Sequence, residues 1–243
     1  MTDRSTSFGQ AAADYARGRP GYPDDAVAWM LDGVEGLVVD VGAGTGKLTE
    51  AVLRARHDVL AVDPDPVMLA TLEAHVPRAR TLRGRAEEIP LPDASAGAVV
   101  LGQAWHWVDV EAASAEIARV LAPGGVLGLV WNIRDERDPW VAALTRIIGH
   151  SAAEILIAEG GPRVAAPFGP LETHESVWTR PITASSLHAL VRSRSGYITG
   201  PDALKRDIDT ALDALIARTD GLADGGEVAM PYVTHAFRAR VAG

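Results

Sequence analysis

Short apolar runs alternate with longer amphipathic stretches through the first half of the chain. Four runs are nearly continuous in apolar residues: Val38–Val41, Val59–Val62, Ala98–Gly102 and Val126–Trp131. The stretches between them, of about ten to twenty residues, fit helices. Strands that alternate with helices predict βαβ units and a parallel sheet, and such apolar strands fit a sheet that is covered on both faces.

Further patterns flank this region. Before it, DDAVAWML (Asp24–Leu31) predicts a helix with Val27, Met30 and Leu31 on its buried side. After it come a helical pattern over Val141–Ala158, a strand in HESVWTRPIT, helices over Ser185–Arg194 and Ala203–Arg218, and a last strand in MPYVTHAFRARV. This last pattern alternates between apolar and polar residues, which predicts an antiparallel final strand.

The first strand ends in a glycine-rich turn, and an acid follows at the end of the second strand. The segment VVDVGAGTGKLT contains Gly42, Gly44 and Gly46, and Asp63 ends the second run. Glycine lets the backbone turn sharply and approach a ligand, and an acid at a strand end accepts ribose hydroxyls. The pattern predicts a nucleotide-type cofactor site. The alternatives are that Asp40 caps the next helix and that Asp63 opens the DPDP turn.

Asp40, two residues before the first glycine, distinguishes between cofactors. A dinucleotide site has the spacing G-x-G-x-x-G and holds a pyrophosphate at a helix N-terminus, whereas the spacing here is G-x-G-x-G. A carboxylate at this position repels a pyrophosphate but accepts hydrogen bonds from an ammonium. S-adenosylmethionine has an ammonium, a ribose and no phosphate, so it is the predicted cofactor. The turn spacing disfavours a nicotinamide oxidoreductase.

Five segments between Val38 and Asn132 resemble, in order, those of class I S-adenosylmethionine-dependent methyltransferases. They are the glycine turn with Asp63, GRAEEIPLPDAS, AVVLGQAWHWVD, EIARVLAPGG and VLGLVWN. The resemblance implies a Rossmann-like, doubly wound seven-stranded α/β sheet, mostly parallel with an antiparallel final strand and helices on both faces. It also implies that the product is S-adenosylhomocysteine.

The length of 243 residues fits one α/β domain. We predict a single methyltransferase domain over 1–243. Within it, 1–37 would form N-terminal helices and a lid, 38–132 the cofactor-binding core, 133–170 an insertion, and 171–243 a C-terminal hairpin with helices.

The segment FGQAAADYARGRPGYP, together with QAWHWVD, resembles a small-molecule subgroup that includes trans-aconitate-type carboxyl O-methyltransferases. In that subgroup the N-terminal segment covers the cofactor, which implies that Tyr15 and Arg19 meet its methionine end. The alternative is that aromatic residues of this segment only attach a terminal helix to the core. The other cofactor contacts that the resemblance implies are Asp40, Gly42, Gly44, Gly46, Asp63, Pro64, Met68, Ala86, Glu87 and Gln103.

Two positions depart from the family pattern. Arg85 stands where an acid usually precedes the Ala-Glu pair, so recognition of the adenine edge is expected to shift to Glu87 or to the backbone. Gly97 replaces an acid that is common at the start of the fourth strand. We expect a local structural effect there and no loss of activity.

The end of the fourth strand is the predicted reaction face. His106 is the candidate general base, because histidine titrates near neutrality. The alternatives are that it only shapes the pocket or bonds to loop backbone. Trp105, Trp107 and Trp131 are predicted to line the acceptor pocket. Arg192 and Arg194 are candidates for clamping a substrate carboxylate, or else belong to a solvated face.

Composition limits the classes of partner and cofactor that the chain can be expected to bind. The net charge of −9 argues against nucleic acid or an anionic membrane as the main partner, because such binding depends on clustered Lys and Arg. The chain has no cysteine, which excludes disulfides and thiolate metal sites, and no metal is predicted. No apolar run approaches 18 residues, so no membrane span is expected and a cytoplasmic protein is the default interpretation.

These observations predict a methyltransferase that acts on a small molecule, at a carboxylate or hydroxyl oxygen. One alternative is a catalytically silent protein that binds S-adenosylmethionine. The other is a methyltransferase acting on RNA or protein, although QAWH replaces the Asn-Pro-Pro-Tyr-like motif of amino-group methylation. The oligomeric state is left open.

Overall fold

The computed structural model describes residues 19–241, and a seven-stranded sheet in the order β3-β2-β1-β4-β5-β7-β6 forms its centre. The strands are β1 (Val38–Val41), β2 (Val59–Asp63), β3 (Arg80–Arg83), β4 (Ala96–Gly102), β5 (Leu121–Arg134), β6 (Glu172–Thr183) and β7 (Glu227–Arg240). The helices are α1 (Asp24–Met30), α2 (Lys47–Arg54), α3 (Pro66–His75), α4 (Val110–Val120), α5 (Pro139–Ile148), α6 (Ala152–Ala158), α7 (Ala184–Arg192), α8 (Ser195–Ile198) and α9 (Asp202–Ala217), with a 3-10 turn at Trp105–Trp107.

The sheet has the predicted Rossmann-like topology. Strands β1 to β5 pair in parallel, whereas β7 is antiparallel to both β5 and β6. The chain fills one side of β1 with β2 and β3 and then crosses to β4 on the other side. The crevice at the carboxyl ends of β1 and β4 is therefore the switch point where such sheets bind ligands. The strands β6 and β7 are neighbours, as predicted, but the helices α7 to α9 connect them.

Successive strand residues bury against helices on opposite faces. Val38 and Val100 belong to one core cluster with Met30 of α1, and Val39 belongs to another with Ile117 of α4. The predicted helices on both faces are thus confirmed. A third cluster joins α5, α7 and α9 to the end of β6 and the start of β7. In the described part of the chain, no helix is both long and apolar enough to cross a membrane.

The helical pattern over Val141–Ala158 forms two helices instead of the one predicted. Gly149, with φ of 69°, ends α5, and Ser151 begins α6. Ser151 and Glu154 form a capping box, in which each side chain accepts a hydrogen bond from the other residue's backbone N–H. The break turns α6 back toward the carboxyl end of the sheet.

Gly97 is required by a close approach of two chain segments. Its N–H donates a hydrogen bond to the carbonyl oxygen of Leu37 at 2.8 Å. A Cβ added at this position would overlap the carbonyl oxygen of Glu35. The segment that leads into β1 therefore crosses the start of β4 where only glycine fits, which agrees with the expected local effect.

Candidate functional site

The turn between β1 and α2 has a left-handed backbone at its glycines. Gly42, Gly44 and Gly46 have φ values of 68°, 55° and 87°. The N–H of Gly44 donates to Oδ2 of Asp63 at 2.8 Å, which ties the turn to the end of β2. A Cβ on Gly46 would lie 2.7 Å from Cγ of Leu72. Gly46 therefore serves the packing of α2 on α3, and it lines neither of the two cavities described below.

Asp40 is a fully buried carboxylate with one unsatisfied oxygen. Its Oδ2 accepts a hydrogen bond from Oγ1 of Thr49 at 2.6 Å. Its Oδ1 has no partner within residues 19–241. Burial raises the pKa of Asp40 to about 7, and the nearby charge of Asp63 adds to the effect. Gly46 occupies the N-cap of α2, so Asp40 is not the cap.

Two adjoining cavities lie at the carboxyl ends of β1, β2 and β4. The smaller has a volume of about 40 Å³ and is lined by Asp40. The larger has a volume of about 350 Å³, in the range of small-molecule sites. Both are bordered by Gly42, Gly44 and Gln103. The predicted site residues that line the larger cavity are Arg19, Gly42, Gly44, Asp63, Pro64, Met68, Ala86, Glu87, Gln103, His106 and Trp107.

Asp63 opens the DPDP turn and also borders the larger cavity. Its Oδ1 accepts from the N–H of Asp65 at 2.9 Å, which opens the DPDP turn, and Oδ2 accepts from Gly44. Each carboxylate oxygen has a second lone pair, and the residue borders the larger cavity. Burial raises the pKa of Asp63, and the two backbone hydrogen bonds oppose this shift.

The loop after β3 forms another wall of the larger cavity. Arg85, Ala86 and Glu87 all border it. Glu87 is held from two sides, because Oε1 accepts the N–H of Asp109 at 2.9 Å and Oε2 lies 3.8 Å from Nε of Arg85. Arg85, which replaces the usual acid, thus lies within ion-pair distance of Glu87.

The end of β4 brings Gln103, His106 and Trp107 to the same cavity. Gln103 has φ of 58°, a strained conformation for this residue type, and its Nε2 donates to the carbonyl oxygen of Asn132 at 3.0 Å. Nδ1 of His106 accepts a hydrogen bond from Nε1 of Trp131 at 3.4 Å. Burial lowers the pKa of His106 to about 4, and the positive charge of Arg19 contributes.

Two of the predicted pocket tryptophans lie in the core. Trp105 is 2% exposed, and its indole N–H donates to the carbonyl oxygen of Arg163 at 2.8 Å. Trp131 is fully buried and packs edge-to-face on Phe237, with ring centroids 5.8 Å apart. Neither lines either of these two cavities, because both are directed into the apolar cluster beneath α4 and α6. Only Trp107, which is 46% exposed, borders the larger cavity.

The predicted arginine clamp is also not at the cavity. Arg192 is half-exposed and lies 3.6 Å from Asp209. Arg194 is buried, 3.3 Å from Glu154, and donates to the carbonyl oxygen of Gly149. Both arginine side chains thus form ion pairs with acids of the C-terminal half of the fold. Tyr15 lies outside the described residues.

Sequence reasoning missed the wall that α6 contributes. Ser151, Ala152 and Ala153 border the larger cavity. The S-x-x-E capping box was a readable signal for the start of this helix. Its position over the cavity depends on the break at Gly149, which the periodic pattern conceals. The described residues contain no group of His, Asp and Glu that would hold a metal ion.

Fold and cavities together define a Rossmann-like protein with a nucleotide-type cofactor site. The profile of the Methyltransferase domain family matches residues 39–129. An uncharacterized methyltransferase of Mycobacterium tuberculosis is 46% identical over 99% of this chain and 98% of its own length. A methyltransferase-like protein of Schizosaccharomyces pombe is 32% identical over 95% of this chain and 94% of its own length. A solved structure of a candidate type II methyltransferase from Anaeromyxobacter dehalogenans shares the fold, with a TM-score of 0.59 and 23% identity over 92% of this chain and 97% of that one.

The chain belongs to the class I S-adenosylmethionine-dependent methyltransferases. S-adenosylmethionine is its cofactor, and the chain is an enzyme. The residues present fit this cofactor, because the orphaned Oδ1 of buried Asp40 offers a negative acceptor to an ammonium.

Proposed function

We propose that the enzyme methylates an oxygen atom of a small molecule. The observation that carries the proposal is the position of His106, which places a polar ring beside Gln103 and Trp107 at the end of β4. An acceptor that is held there by a hydrogen bond would present its oxygen to the methyl group. The acidic net charge of −9 supports a small acceptor over RNA, since nucleic acids are bound through clustered cations.

We further propose how the chain holds its cofactor, which supplies an electrophilic methyl group when bound. Asp40 and Arg19 would meet the amino and carboxylate groups of the methionine end, since both border the smaller cavity. Asp63 would accept the ribose hydroxyls with its remaining lone pairs. Met68 and Ala86 are apolar and border the larger cavity, which supports an adenine site between them.

Methyl transfer to an acceptor panel tests the proposed function. Purified full-length protein is incubated with S-adenosylmethionine labelled in its methyl group and with small carboxylic acids, hydroxyl compounds, total RNA or a protein extract. We expect label in a small acid or hydroxyl compound. Label that enters only RNA or protein would contradict the proposal. Calorimetry with S-adenosylmethionine, S-adenosylhomocysteine and NAD should show binding of the first two alone.

Asp63→Asn should weaken S-adenosylmethionine binding by about 1–3 kcal/mol, or roughly 5- to 150-fold in Kd, because a charged hydrogen-bond acceptor becomes neutral. The Kd is measured by calorimetry. Asp65→Asn is the matched control. Asparagine can still cap α3 in place of Asp65, and the substitution leaves the charge of Asp63 unchanged. An unchanged Kd for Asp63→Asn would remove this residue from the cofactor site.

A further inference from the structure

Trp131 donates a hydrogen bond to one of the two ring nitrogens of His106. The indole N–H of this buried side chain has Nδ1 of His106, 3.4 Å away, as its hydrogen-bond partner in the part of the chain that the structure describes. An indole nitrogen donates and never accepts, so Nδ1 must carry a lone pair. A neutral imidazole then carries its proton on Nε2. The nitrogen left for a ligand is a donor.

Burial, more than the neighbouring charges, keeps the His106 ring neutral. Burial, together with the positive charge of Arg19, holds the pKa of the imidazole far below neutrality. Trp107 stacks at a tilt beside the ring, with centroids 4.8 Å apart. The acids that border the same cavity, Asp63 and Glu87, each accept hydrogen bonds from backbone N–H groups.

The other tautomer would set two N–H groups against each other. A proton on Nδ1 would point at the indole N–H of Trp131, and both buried donors would lose a partner. An unsatisfied buried donor is unfavourable enough to shift such an equilibrium by about tenfold or more. A general base at Nε2 needs this disfavoured tautomer, because it must offer a lone pair to the acceptor.

We infer that Trp131 is a positioning residue that makes His106 a hydrogen-bond donor, and not a general base, toward the acceptor oxygen. This inference rests on the proposed function, because the donor is useful only to an acceptor atom with a lone pair. It also narrows the substrate class to molecules whose oxygen is already anionic in solution. An oxygen lone pair forms the new bond to the methyl carbon while the sulfur–carbon bond breaks, and its electron pair stays on sulfur. No proton moves in this step.

Nitrogen NMR of full-length protein labelled with ¹⁵N-histidine reads the tautomer directly. The chain has seven histidines, and the signals missing from His106→Gln assign this ring. We expect the Nε2–H pattern at neutral pH. Trp131→Phe keeps an apolar ring and removes the N–H, so both tautomers should appear. Trp105→Phe is the matched control, because the N–H of this buried indole bonds elsewhere, and it should leave the His106 signals unchanged.

Two results would overturn the inference: an Nδ1–H pattern in the parent protein, or identical His106 signals in Trp131→Phe. The parent spectrum decides the tautomer even if Trp131→Phe fails to fold. The acceptor panel tests the proposed function separately. If no small molecule became labelled in that panel, the proposed function would fail, but the tautomer read by NMR would be unaffected.

The kcat measured with an acid identified in the acceptor panel distinguishes a hydrogen-bond donor from a general base at His106. His106→Gln retains an N–H donor and should keep at least about a tenth of kcat, whereas the loss of a general base costs about 100-fold or more. The parent kcat should rise with pH only where the acceptor itself ionises. A 100-fold loss in His106→Gln would favour the base.

Discussion

Asp40→Asn should weaken S-adenosylmethionine binding by about 30-fold or more. The carboxylate of Asp40 is fully buried, and its Oδ1 has no partner in the range 19–241. A cofactor ammonium placed there would pair with a charge that water does not screen. Asparagine is neutral and puts an amide N–H₂ group at one of the two oxygen positions, so the cation would lose its counter-charge. Calorimetry at about pH 8, where the parent carboxylate is ionised, measures the change in Kd.

The same substitution should stabilise the fold. The pKa of Asp40 is about 7 in the folded state against an ordinary value of 3.8, so the folded chain keeps a proton that the unfolded chain releases between these values. The free energy of unfolding therefore falls as pH rises through this window, by about 4 kcal/mol in total. Asparagine removes this loss and still accepts the hydrogen bond of Thr49. Its unsatisfied N–H₂ group costs about 1–3 kcal/mol, which leaves a net gain at alkaline pH.

Urea denaturation at about pH 8 and about pH 5 tests the effect on stability. The gain from Asp40→Asn should be present at the higher pH and vanish or reverse at the lower pH, where the parent carboxyl is protonated. Asp58→Asn removes an exposed acid that lies 3.7 Å from Arg80, and should change stability little at either pH. A variant that is less stable than the parent at both pH values would contradict the role of a buried, unsatisfied carboxylate.

The centre of the fold and the two acids were predictable because local sequence determines them. The runs at β1, β2, β4 and β5 are buried on both faces, so their apolar character is continuous. Asp40 and Asp63 follow from their spacing to a glycine turn whose geometry is set within a few residues. β3 has no such signal, since RTLR is a polar strand at the sheet edge with exposed ends.

The rest of the site depends on contacts between distant segments. Trp131 was predicted to line the pocket, but the register of β5 against β7 pairs it with His235 and directs its ring into the core. Arg194 was predicted to clamp a substrate, but its partner Glu154 stands forty residues earlier. Neither periodicity nor spacing within one element reports such partners.

Glu154→Gln should destabilise the protein by about 3–5 kcal/mol, because it leaves two buried arginines without their counter-charge. Oε1 of Glu154 lies 2.7 Å from the guanidinium of Arg134, and Oε2 lies 3.3 Å from that of Arg194. Burial raises the pKa of Glu154, but the two arginines and Ser151 outweigh it and hold the pKa below its ordinary value. This stability is present above the unfolded pKa and is lost as pH falls through the folded pKa. Parent and variant should therefore converge in acid.

Glutamine separates the charge of Glu154 from its capping role. An amide oxygen still accepts the N–H of Ser151, so the capping box of α6 survives the substitution while the ion pairs do not. Ser151→Ala removes the side-chain cap and the hydrogen bond from Oγ to Glu154 but leaves both ion pairs in place, and should cost only about 1–2 kcal/mol. Glu159→Gln, at the exposed far end of α6, should change stability by less than about 0.5 kcal/mol. If urea denaturation gave Glu154→Gln the same small effect as Ser151→Ala, the arginines would not depend on this acid. The position of α6 at the cavity would then rest on its cap and its apolar packing.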